Sequence, residues 1–90
     1  MSHITVDGCN YVLSGYRHDP GIHVITVWTE HDRLVCDIEI NNHVECGSVT
    51  YRDSEEAHAI DYWAYTENVV RMGQNKANEE LARWAVSVEE

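Results

Sequence analysis

Cationic side chains are scarce in this 90-residue chain: six Lys or Arg stand against 16 Asp or Glu, a formal net charge of −10 at neutral pH. That deficit argues against direct binding to nucleic acid or to an anionic membrane surface, because both repel a polyanion. No apolar run approaches the roughly 20 residues of a membrane span, and no glycine-rich phosphate loop is present. The three cysteines, Cys9, Cys36 and Cys46, are odd in number and widely spaced. They suit neither a disulfide framework nor the paired ligands of a structural zinc site. No signal peptide precedes them, so a reducing, cytoplasmic setting is expected, with Cys36 and Cys46 acting as small buried hydrophobes. Proline occurs once, at Pro20 beside Gly21, and marks a loop.

What is present is enough for one domain over residues 1–90, since 43% of the residues are hydrophobic. The most informative stretch is Arg33 to Arg52. Leu34, Cys36, Ile38 and Ile40 alternate with Val35, Asp37, Glu39 and Asn41, the pattern of a half-buried strand. The return run, Val44 to Tyr51, follows an Asn-Asn turn. A three-residue loop of Asn41, Asn42 and His43 sets Ile40 against Val44 and Ile38 against Cys46, keeping apolar residues together. The same register places Glu39 opposite Glu45, a like-charge pairing that costs stability. Gly47 is expected at a bulge, where the apolar phase changes.

Upstream, Ile4 to Val6 runs into Asp7-Gly8, a hairpin signal, and Cys9, Tyr11 and Leu13 continue with period two. Ile22 to Glu30 is rich in β-formers, with Val24 and Trp28 on one face and Ile25 and Val27 on the other. A two-residue turn at His31-Asp32 pairs Glu30 with Arg33, Val27 with Cys36, Ile25 with Ile38, Thr26 with Asp37 and Val24 with Glu39, and Trp28 with Val35.

Downstream, Asp53-Ser54-Glu55-Glu56 reads as a capping box opening a helix to Met72, with Gly73 closing it. A second helix follows over about residues 75–88, with Ala77, Leu81, Trp84, Ala85 and Val88 as its apolar stripe. Trp63 and Trp84 are read as core residues. The expected fold is therefore α+β: an antiparallel sheet of three to five strands over residues 3–52, with two C-terminal helices, 54–72 and 75–88, packed on one face.

Catalytic signatures are missing. His43-Val44-Glu45-Cys46 contains the H-x-E of zinc deaminases but not the P-C-x-x-C that completes their metal site. Ser14 and Ser48 lack a nucleophile-elbow context, and Asp37 and Glu39 on an exposed sheet face have no cavity to separate their pKa values. A non-enzymatic protein without cofactor or bound metal is expected. A small metal-dependent enzyme using His43 and Cys46 is the alternative from another class.

The functional expectation rests on Asp37, Glu39 and Glu45, a carboxylate cluster beside Trp28. Trp28 is either an interface anchor or packs under the N-terminal hairpin. Such a cluster suits a Lys- and Arg-lined surface that otherwise holds phosphates, whereas a face that merely confers solubility is the plain alternative. The order of elements, a strand-rich first half, the Asp53-Ser54-Glu55-Glu56 helix start, an aromatic-bearing helix and a last helix, resembles the layout of small phage-encoded anti-CRISPR proteins. The resemblance implies an inhibitor acting in the host cell cytoplasm on a CRISPR effector subunit. An antitoxin or immunity protein that neutralises a basic nuclease is the runner-up. Oligomeric state is left open by the sequence, although an exposed strand edge could support a homodimer.

Overall fold

The β-branched runs pair in chain order. In the computed structural model, which describes residues 2–89 apart from the side chains of 16–19 and 89, six strands form one antiparallel sheet in the order β1-β2-β3-β4-β5-β6. They are β1 (Ser2–Val6), β2 (Cys9–Asp19), β3 (Ile22–Thr29), β4 (Leu34–Asn41), β5 (Cys46–Tyr51) and β6 (Ala57–Ala59); two helices follow, α1 (Tyr62–Met72) and α2 (Gln74–Glu89). The α+β architecture is as expected from the sequence, with more strands than the three to five anticipated. The radius of gyration is 12.2 Å, matching the roughly 12 Å of a folded unit this long. No helix among the described residues is long and apolar enough to cross a membrane.

Alternation sorts the sheet into two faces. Leu13, Val27 and Cys36 stand opposite one another across adjacent strands, as do Ile25, Ile38 and Val49. Ile38, Ile40, Val27, Val49 and Cys36 are fully enclosed, and each such aliphatic side chain contributes about 1.5–3 kcal/mol when removed from water. α2 covers this face with Ala77, Ala82, Ala85 and Val86. The alanines leave little between helix backbone and sheet, and Tyr51 Oη donates to the Ala85 carbonyl at 2.6 Å.

α1 folds back along α2. Tyr65 Oη donates to Asn78 Oδ1 at 2.6 Å, and the Gln74 amide donates to Tyr65 Oη. Tyr62 Oη donates to Asn42 Oδ1 at 2.6 Å, joining the first turn of α1 to the β4–β5 turn. A single residue, Gly73 with φ 94°, separates the helices, and its N–H donates to the Val69 carbonyl.

The first helix starts later than the expected residue 54. Ala57–Ala59 pairs with β5 as an edge strand, and the Ser54 hydroxyl accepts from the Glu56 N–H in a local turn. Asp61 is the true cap, its carboxylate accepting from the Ala64 N–H at 3.0 Å. Trp63 and Trp84 are not core residues: they are 62% and 41% exposed.

The two sheet edges differ. Beside β1, which packs against α2, Arg83 Nη1 donates to the Thr5 carbonyl at 2.7 Å. β6 is three exposed residues, flanked by Glu55, Glu56 and Asp61.

Candidate functional site

The face of the sheet away from the helices is open. Its positions include His3 and Val12 beside Trp28, then Ser14, Thr26, Asp37 and Thr50 in one row, and Val24, Glu39 and Ser48 in the next. Four of the expected β3–β4 pairings are present, Val27 with Cys36, Thr26 with Asp37, Ile25 with Ile38 and Val24 with Glu39. The fifth is not. A bulge shifts the register so that Trp28 pairs with Leu34 instead of Val35, and Glu30 accepts from Asn10 Nδ2 at 3.2 Å rather than pairing with Arg33. The Thr29 hydroxyl accepts from the N–H groups of His31 and Arg33, which shapes this longer turn.

Trp28 is half-buried, its indole Nε1 donating to Ser14 Oγ at 3.0 Å. It lies on the open face next to Val12, not beneath the N-terminal hairpin, which is part of the same sheet. Asp37 accepts at 2.7 Å from the hydroxyl of Thr26, a side chain only 8% exposed. That bond fixes the carboxylate direction, and Ser14 does the same for the indole. The apposition of Thr26 and Asp37 was expected from the register, whereas Ser14 as the partner of the indole escaped sequence reasoning, although its place in the alternation was a readable signal. Glu39, two residues from Asp37 and hence about 6.6–6.8 Å along the strand, stands between Val24 and Ser48. Among the described residues, no Lys or Arg occupies a strand position on this face.

Glu45 does not join the cluster. The β4–β5 turn contains four residues, 42–45, so Asn41 pairs with Cys46, Ile40 with Gly47, Glu39 with Ser48 and Ile38 with Val49. The expected Glu39–Glu45 apposition is therefore absent, and with it the like-charge cost. Glu45 sits in the turn at φ 55°. Gly47 is not at a bulge; it lies under Ile60. Cys36 is buried as expected, but Cys46 is exposed, which corrects its reading as a core residue; Cys9 is exposed too.

His43 and Cys46 are exposed as well, and among the described residues no group of three or more His, Cys, Asp or Glu side chains converges on a common point. The described surface includes two concavities of note. One, of about 540 Å³, lies between β2, β3 and the start of α2; the other, of about 340 Å³, lies between the helices. Asp37 and Glu39 line neither.

Comparison of the chain with known protein families, curated proteins and solved structures finds no match.

Proposed function

We propose that the protein is a non-enzymatic inhibitor that lays its open sheet face on a basic, nucleic-acid-handling surface of another protein, a CRISPR effector subunit being the partner that the resemblance in layout implies. One observation carries this reading: Trp28, Asp37 and Glu39 share the uncovered face of a sheet in a chain of net charge −10. The carboxylates steer and orient a cationic surface. The indole supplies an apolar anchor of the kind enriched at interface hot spots.

Affinity capture of partners from host lysate, followed by calorimetry with the purified partner, tests the proposal. Asp37→Asn with Glu39→Gln, which keeps an acceptor for the Thr26 hydroxyl, should leave the thermal transition intact and weaken binding, and wild-type affinity should fall as salt rises, because exposed charge pairs are screened. Unchanged affinity in the double variant, together with a flat salt profile, would remove the face from consideration.

A further inference from the structure

α2 carries two apolar stripes, of which the sheet uses one. Ala77, Ala82, Ala85 and Val86 are buried, while Trp84 and Val88 remain 41% and 54% exposed. Leu81, Trp84 and Val88 fall at i, i+3 and i+7, one side of the helix. That side borders α1, and the groove of about 340 Å³ opens there.

Small residues on both helices, Ala64 and Ala77, leave the groove open, and Tyr65, Leu81 and Trp84 supply its apolar walls. The volume lies at the low end of the roughly 300–1,000 Å³ range of ligand sites, which suits one or two side chains better than a cofactor. Among the described residues, the only charged groups lining it are Asp61 and Glu80. One Asp61 oxygen accepts from the Ala64 N–H, leaving its charge in place. Glu80 shares an exposed ion pair with Arg83, whose Nε lies 3.9 Å away while its Nη1 donates to the Thr5 carbonyl at the β1 edge, so an incoming guanidinium shares this carboxylate with Arg83. Both charged groups that face the groove are thus carboxylates, beside an exposed indole.

We propose that this groove binds an amphipathic basic segment of another protein. An apolar side chain of that segment seats against Ala64, Ala77 and Leu81. A neighbouring arginine stacks on the Trp84 indole, with its guanidinium turned towards Asp61 and Glu80, a geometry that combines cation–π attraction with charge pairing. A second copy of this chain is a poor occupant, because two chains of net charge −10 repel each other. The groove lies in the helical layer, away from the open sheet face, so the two surfaces stand or fall separately.

The test is an NMR titration of the full chain with a synthetic amphipathic peptide bearing Leu and Arg on one helical face, followed at the Trp84 indole N–H and the Ala64 and Ala77 methyls. Saturable shifts at these resonances, with the Trp28 indole N–H unmoved, are expected. D61N/E80Q keeps a cap-competent side chain at 61 and the same shape at 80, so it should fold normally and bind the peptide about tenfold more weakly. W84A should weaken it by a similar factor. A peptide with Gln in place of each Arg should bind more weakly than the Arg form. Shifts that centre on Trp28 or fail to saturate would overturn the proposal, as would a D61N/E80Q variant that folds and binds like the wild type.

Discussion

Ile60 occupies the space that a side chain on Gly47 would need. Its N–H donates to the Gly47 carbonyl at 3.1 Å, and a Cβ built on Gly47 would stand 2.7 Å from Ile60 Cδ1 and 2.9 Å from the Glu39 carbonyl oxygen. The isoleucine tip can yield, but the strand backbone cannot do so without loosening the β4–β5 ladder. Gly47→Ala is expected to lower the unfolding free energy by about 1–3 kcal/mol, the usual range for forced overpacking. Urea denaturation measures this, and a variant as stable as the parent would show that Ile60 is not seated on Gly47.

Glu45 carries a backbone conformation that favours glycine, φ 55°, in an exposed turn. Glu45→Gly should therefore raise stability by about 0.5–1 kcal/mol, the steric relief exceeding the added flexibility of the unfolded chain. Partner affinity should be unchanged, since Glu45 stands apart from Asp37 and Glu39. A marked loss of affinity in a well-folded variant would return Glu45 to the binding surface.

Tyr65 confers an alkaline limit. Burial raises its hydroxyl above the ordinary value of 10.0; the Gln74 hydrogen bond lowers it in part, and Tyr62 adds a smaller raising effect. The folded chain thus keeps a proton that the unfolded chain gives up. The stability this contributes is complete below the unfolded pKa and is lost as pH rises through the folded one. Thermal melts of Tyr65→Phe should show a shallower decline than wild type above about pH 10, and at neutral pH the variant should lose about 1 kcal/mol with the hydrogen bonds to Asn78 and Gln74. Parallel alkaline slopes in the two proteins would contradict this.

The thiols should fall into two classes. Cys9 and Cys46 are exposed and Cys36 is enclosed between the sheet and α2, so a thiol reagent on the native protein should label two groups quickly. The third should wait for global opening of the core. Three equal rates would mean that the Cys36 environment opens readily.

The β3–β4 pairing was legible in the sequence because both strands alternate strongly, and burying Ile25, Val27, Cys36 and Ile38 together permits one register. The β4–β5 turn was not. Val44 is 64% exposed, and the assumption that an apolar residue beside the turn belongs in the core shortened the loop by one residue, which brought Glu45 opposite Glu39. Asp53-Ser54-Glu55-Glu56 carried a sound local helix signal that lost to a tertiary demand: Ala57–Ala59 fits the free edge of β5, and the helix starts at the next available cap, Asp61. The tryptophans misled for a related reason. A helix lying close to a sheet takes alanines at the contact, so the bulky groups of α2 were turned aside. The carboxylates Asp37 and Glu39 were found from alternation alone, whereas the groove between the helices required the true phase of α2.

The hydrogen bond from Arg83 to the Thr5 carbonyl makes the sheet one-sided as a building block. An incoming strand at β1 would have to displace a guanidinium, while β6 offers a short row of open backbone groups. Strand addition is therefore disfavoured at the Thr5 end of β1 relative to β6. Two copies joined edge to edge there would leave the two β1 margins outermost, each bearing an Arg83 guanidinium that works against further addition. Sedimentation at rising concentration should reveal nothing larger than a dimer, and Arg83→Ala is the change that would reopen the second margin.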